Sequence, residues 1–258
     1  MTPLAIVAWS DTARLLAGAG LGLIVGSFLA TIVSRWPRGG SVVTGRSRCD
    51  GCDRVLGPLD LVPLLSWLMA RGRCRSCGTR IDPVHPLVEL GAALIGALCA
   101  WLFPPATALF MAVGGWILLT LAVMDARHFW LPDALTLPLA ALGLTLGDWI
   151  LPASFMDRAL GAGLGAGALF LLALGYRRLR GREGLGLGDA KLLGAIGGWL
   201  GWQALPFVLL VASVTALLWV AALRLAGREL NATTRVPLGT FLCIAAVPAW
   251  LLTGLLLF

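Results

Sequence analysis

The sequence predicts an all-α, polytopic membrane protein of about eight transmembrane helices, interrupted once by a small polar insert carrying four cysteines. Three observations predict it. Hydrophobic residues make up 59% of the 258 positions and charged ones 13%, with a mean hydropathy of +0.89. A soluble domain is about 25% charged. That deficit excludes an ordinary cytosolic enzyme, and a disordered chain would need the opposite composition. Eight apolar runs near the length of a membrane span follow one another. The basic residues, finally, gather on one side of those runs.

In order, the runs are 15–33, 87–103, 107–124, 134–151, 160–176, 192–205, 206–223 and 236–258. Breaks fall at Pro and Gly, including Pro104-Pro105, Leu151-Pro152 and the stretch Trp202–Pro206. The sixth run is short, and a single long helix from Leu192 to Leu223 would reduce the count to seven. The first run follows Asp11 and a single Arg14, without the basic leader of a cleaved signal peptide, so it reads as a permanent span.

Charge decides between seven and eight. Lys and Arg of short loops collect at the cytoplasmic face. With eight spans, 18 of 20 basic residues share one side, leaving only Arg14 and Arg158 opposite. The shared set runs from Arg35 through Arg80, Arg127, Arg177–Arg182 and Lys191 to Arg224, Arg228 and Arg235. Fusing runs six and seven would strand the last three outside. Eight spans with both termini outside is therefore the expectation. The net charge of +7 is a topology signal, with no nucleic-acid partner expected.

Residues 34–86 form the only polar insert, too small to build much of a core unaided. Within it stand Cys49-Asp50-Gly51-Cys52 and Cys74-Arg75-Ser76-Cys77, 21 residues apart. Two C-x-x-C pairs at this distance resemble a four-cysteine zinc ribbon. Each pair makes a turn that puts both thiolates on one side, Gly51 and Gly78 easing the backbone and nearby Arg residues favouring the thiolate. The competing reading is two disulfides, which the reducing cytoplasm disfavours. With four protein ligands the metal would be structural and would supply folding free energy. Cys99 and Cys243 stand singly in apolar runs and read as small buried hydrophobes.

Only 13 acidic residues occur, so those touching apolar runs are informative. Asp125 ends the third run, and Asp189 closes Gly184-Leu185-Gly186-Leu187-Gly188-Asp189 just before the sixth. Both fall at the cytoplasmic boundary. Two carboxyls sharing a proton can act as base and acid, which is what activating water against a peptide carbonyl needs. A helix N-cap would also explain Asp189, and Asp133 after Pro132 reads as a helix start. Capping does not explain Asp125, which lies at the unfavourable pole of its helix. Glu89, a turn into the second run, needs a partner that a nearby Arg could supply. His85 and His128 read as interfacial residues, and the 11 tryptophans mostly as interfacial anchors.

At this point the chain resembles the type IV prepilin peptidases, bifunctional leader peptidase/N-methyltransferases with a G-x-G-D aspartate block. The resemblance runs through Gly26-Ser27-Phe28-Leu29 with Arg35-Trp36-Pro37, the four-cysteine insert with Asp60–Leu68, and Pro86–Leu90. Asp125 with Leu131-Pro132-Asp133 resembles the first aspartate block, and Gly186-Leu187-Gly188-Asp189-Ala190-Lys191 the second. Departures are Ala30 for Asn, Asp50 for Pro, and Leu238 and Thr240 within a usual Pro-Phe-Gly-Pro stretch.

The resemblance implies an aspartic endopeptidase of the bacterial inner membrane. Asp125 and Asp189 would be its catalytic pair, with Gly186, Gly188 and Lys191 in the supporting loop and Cys49, Cys52, Cys74 and Cys77 on zinc. It would cut the basic leader of type IV prepilins or type II secretion pseudopilins after glycine. The new amino terminus would then be methylated from S-adenosylmethionine, by residues that the sequence does not identify. The implied organisation is a first transmembrane segment at 1–33, a cytoplasmic four-cysteine domain at 34–86 and a seven-helix membrane peptidase domain at 87–258. Two other readings stay open from the residues: a methyltransferase alone, or a non-enzymatic zinc-bearing component of a secretion or pilus machine.

Overall fold

A computed structural model describes residues 10–42, 44–151, 153–181, 184–229 and 235–256. Pro152, Arg182 and the end of the last run at Phe258 lie outside the described residues. The chain divides into two compact units, Met1–Thr120 and Leu121–Phe258. The long helices are α1 (Asp11–Arg35), α3 (Val84–Leu102), α4 (Pro105–His128), α5 (Asp133–Leu146), α6 (Phe155–Arg180), α7 (Leu187–Leu200), α8 (Leu205–Leu225) and α9 (Leu238–Leu256); α2 (Leu65–Met69) is a single turn in the insert. No β-strand occurs among the described residues, which hold two isolated β-bridges.

Each of the eight apolar runs holds a helix. Among the described residues, five segments are long and apolar enough to cross a membrane: Asp11–Arg38, Val84–Leu102, Pro105–His128, Phe155–Arg180 and Trp202–Leu225. Runs six and seven do not fuse, because α7 ends at Gly201, whose φ of +83° a helix cannot continue through. The sixth helix also starts earlier than its apolar run, so Asp189 lies inside the first turn of α7 instead of before it.

In the first unit, α1 begins on Ser10, whose hydroxyl accepts the Ala13 N–H at 3.3 Å. Its small residues then pack directly on α3. A Cβ on Gly18 would sit 2.4 Å from the Gly96 carbonyl, and one on Gly22 would sit 2.3 Å from that of Ala92. Such close backbone approach is how helices associate where apolar burial gives no drive. The Trp116 indole donates to the Ala92 carbonyl at 2.9 Å, fastening the near half of α4 to α3.

In the second unit α7 is the hub. Every residue from Asp189 to Leu200 except Lys191 is buried. A helix apolar on all sides belongs in the centre of a bundle. Gly161 of α6 and Gly197 of α7 meet backbone to backbone, and α5 closes the other side through the Trp199 indole, which donates to the Leu139 carbonyl. The two basic residues that the charge pattern leaves on the far side are both held. Arg158 is fully buried and pairs with Asp148 at 2.5 Å, and Arg14 donates to the Phe103 carbonyl.

Candidate active site and metal centre

The four insert cysteines converge. Their sulfurs all lie within 4.8 Å of one another, with Cys49 and Cys77 at 3.7 Å. Tetrahedral Zn–S bonds of about 2.3 Å would set the sulfurs about 3.8 Å apart. The donor set therefore fits zinc, and all six cysteines are free thiols. The two knuckles repeat one backbone pattern. Cys49 N–H donates to the Arg54 carbonyl at 3.0 Å and Cys74 N–H to the Thr79 carbonyl at 2.8 Å. The residue after each second cysteine is left-handed: Asp53 at φ +53° and Gly78 at +73°.

Gly51 has a different part from the one expected. Its φ is ordinary, but a Cβ there would lie 2.2 Å from the Thr79 hydroxyl, so it lets the knuckles close on each other. The thiolates also owe less to arginine than the composition suggests. The Thr79 hydroxyl and amide pull the Cys77 thiol down to about 6, and the amides of Cys77 and Ser76 lower Cys74. Arg54 and Arg75 instead pair with Asp60, at 2.8 and 3.7 Å, and Asp60 also accepts the Gly57 N–H at 3.2 Å. Asp60 thereby ties the tail of the first knuckle to the second, a part the sequence did not reveal.

Glu89 is buried, and its partner is a backbone amide: Leu64 N–H donates to Oε2 at 2.8 Å. Leu64 itself sits at φ +58°, ψ −49°, closing a tight turn in which Leu65 N–H reaches the Pro63 carbonyl at 2.6 Å. The nearby Arg expected from sequence is replaced by this turn. His85 lies 3.3 Å from the Ser34 hydroxyl.

In the second unit Asp125 and Asp189, 64 residues apart in sequence, both lie against Gly239 and within electrostatic reach of each other. They are 5% and 9% exposed, and the charge of Asp125 acts directly on Asp189. Asp189 is not an N-cap. Gly186 holds that position, with Asp189 three residues on and its carboxyl against the Gly186 and Gly239 amides. Gly186 and Gly188 stand at close quarters: a Cβ on them would lie 3.2 Å from Asp189 Oδ2 and 3.1 Å from the Leu131 Cβ respectively, so each neighbour would have to give by a few tenths of an ångström.

Asp125 ends α4 against the local dipole, and another helix compensates. Its Oδ2 accepts the Thr240 N–H at 2.8 Å and lies 3.2 Å from the Thr240 hydroxyl, at the start of α9. The positive pole of α9 thus faces a carboxylate that its own helix disfavours. Each of the two carboxyls therefore has amides from a helix start against it. Cys243, a turn further along α9, is buried within electrostatic reach of both. Gly239 and Thr240 are the site residues that sequence reasoning missed, the one signal being that Leu238 and Thr240 broke an expected pattern. Asp133 opens α5 behind Pro132, and both of its oxygens accept from Lys191 Nζ, at 2.7 and 2.9 Å.

Two buried carboxyls within electrostatic reach, in an all-helical chain with membrane-length apolar helices, are what a membrane-embedded aspartic protease requires. Comparison with known proteins narrows the class. Residues 21–103 match the Bacterial Peptidase A24 N-terminal domain and residues 112–221 the Type IV leader peptidase family. The chain is 36% identical over 272 residues to a prepilin leader peptidase/N-methyltransferase of Stutzerimonas stutzeri, covering 95% of this chain and 93% of that one. A Pseudomonas aeruginosa protein of the same name is 37% identical, covering 87% and 86%. One from Aeromonas hydrophila is 38% identical, covering 84% and 78%. No solved structure matches the chain. The chain belongs to the type IV leader peptidase family and is a leader peptidase of the membrane.

Proposed function

We propose that Asp125 and Asp189 are the catalytic pair of an aspartic endopeptidase that removes the basic leader of type IV prepilins or pseudopilins. The observation that carries the reading is two buried carboxyls from distant segments within electrostatic reach of each other, each supported by helix-start amides. Two such groups share one proton. The ionised member takes a proton from water as the water oxygen attacks the carbonyl carbon of the glycine that precedes the cut. The protonated member supports the developing oxyanion, and a carboxyl proton then passes to the leaving nitrogen as the C–N bond breaks. Gly186 leaves room for the Asp189 carboxyl and Gly188 for Leu131, and Lys191 ties the starts of α5 and α7.

The remaining parts of the proposal rest on charge and chemistry. The one-sided arginines and lysines favour a cytoplasmic face for the four-cysteine domain at 34–86 and for the aspartates, with both termini outside. The first span at 1–33 and the membrane domain at 87–258 complete the organisation in the bacterial inner membrane. Zinc held by Cys49, Cys52, Cys74 and Cys77 would brace the insert structurally. Methylation of the new amino terminus follows cleavage, with S-adenosylmethionine as the co-substrate donating the methyl.

Intact mass spectrometry of a prepilin incubated with the full chain and S-adenosylmethionine tests this directly. The expected product lacks its leader and gains one methyl. Asp125→Asn and Asp189→Asn should each leave the substrate uncut, and full cleavage by either variant overturns the pair.

A further inference from the structure

A catalytic carboxyl must gain and lose a proton in every cycle, and in a buried site each state needs a partner. The Thr240 backbone N–H always donates, so it cannot itself accept a carboxyl proton. The Thr240 hydroxyl is different. It lies 3.2 Å from Asp125 Oδ2 and 3.0 Å from the Ala122 carbonyl oxygen. A hydroxyl carries one hydrogen and two lone pairs. Its hydrogen can point to only one of these two oxygens at a time.

We propose that the Thr240 hydroxyl is a positioning group for peptide cleavage, a rotor that serves both protonation states of Asp125. With Asp125 ionised, the hydroxyl turns its hydrogen from Ala122 to Oδ2, and the carboxylate accepts from both the N–H and the O–H of Thr240. When Asp125 is protonated, the hydroxyl turns back to the Ala122 carbonyl. Its lone pair then accepts from the carboxyl if the proton sits on Oδ2. In either orientation the hydroxyl hydrogen has an oxygen to point at, so its turn needs no rearrangement of helices. The residue also stands where the family resemblance leads one to expect proline, which has neither donor. The device rests on Asp125 being one of the catalytic pair.

The test measures kcat and KM for prepilin cleavage by the full-length protein in lipid. Thr240→Val keeps the shape and the backbone N–H and removes only the hydroxyl. Its kcat is expected to fall ~10-fold, the scale of one hydrogen bond to a charged group, with KM unchanged. Thr240→Ser restores the hydroxyl and should return kcat to within about twofold of the parent, since the same hydrogen bond is available. If Thr240→Val proves unfolded by its melting curve, Thr240→Ala is read in the same way. Parent-like kcat in Val or Ala, a loss confined to KM, or a Ser variant as slow as Val overturns the rotor. Cleavage by Asp125→Asn overturns instead the catalytic reading on which it rests.

Discussion

Lys191 grips Asp133 through both carboxylate oxygens, at 2.7 and 2.9 Å, joining two helix starts 58 residues apart. Asp133 opens α5 eight residues after Asp125, and Lys191 follows Asp189 by two. The pair therefore braces both segments that present the aspartates. Both side chains are about half exposed, so the pair contributes little to global stability, ~0–1 kcal/mol.

The consequence for Lys191→Met and Asp133→Asn is a split between activity and stability. Each should lower kcat for leader cleavage several-fold through misplacement of the aspartates, because small displacements at a reacting centre are costly. The melting temperature should barely move. The charge-swapped pair Lys191→Asp with Asp133→Lys should recover part of the lost kcat, and a double-mutant cycle on cleavage rates measures the coupling.

Gly239 faces the site at still closer range. A Cβ there would lie 2.8 Å from Leu131 Cδ1 and 3.0 Å from Asp125 Oδ2. Gly239→Ala must push the carboxylate or Leu131 aside, and a shift of this kind at a reacting group costs ~100-fold in rate. Cleavage kinetics of the folded variant check it, and a rate within twofold of the parent would show that the site yields without loss.

What the sequence made legible and what it hid divide by range. Local chemistry was readable: the eight apolar runs, the C-x-x-C pairs, and Asp125 and Asp189 as the carboxyls at run ends. The spacing of the thiols carried the cluster because a knuckle is a short-range object. Partners supplied by distant backbone were not readable. Asp125 is held by an amide 115 residues away, and Glu89 by one 25 residues away, and a backbone N–H leaves no mark on residue type. Helix starts shifted for a related reason: Asp189 and Lys191 interrupt the apolar pattern, yet the bundle extends α7 through them from Leu187.

Asp60 gives the insert a testable brace. It is mostly buried and takes Arg54, Arg75 and the Gly57 amide together. Asp60→Asn keeps the size but removes the charge, leaving two guanidinium groups without their partner. Loss of a hydrogen bond to a charged group costs ~1.5–3 kcal/mol. The insert should be cut faster by a protease under native conditions, while metal content stays near one per chain. Cys74→Ser should act the other way round in cause, with metal lost first and protease sensitivity following. Elemental analysis alongside timed proteolysis separates the two.

Gly161 and Gly197 carry the last prediction, which concerns the bundle rather than the chemistry. A Cβ on Gly197 would lie 2.2 Å from the Gly161 carbonyl oxygen, and one on Gly161 would lie 2.4 Å from that of Gly197. Both obstacles are backbone, which cannot swing away as a side chain would. Gly197→Ala must separate α6 from α7 or shift α7 along its axis, and overpacking of this kind costs ~1–3 kcal/mol. Because Asp189 sits two turns up the same helix, the shift reaches the carboxyl pair. The expected outcome is a lowered melting temperature together with a loss of kcat that exceeds any change in KM. Gly163→Ala, on the open side of α6 where a Cβ meets nothing within 4 Å, should leave both unchanged. Equal behaviour of the two alanine variants would show that the α6–α7 contact does not set the position of Asp189.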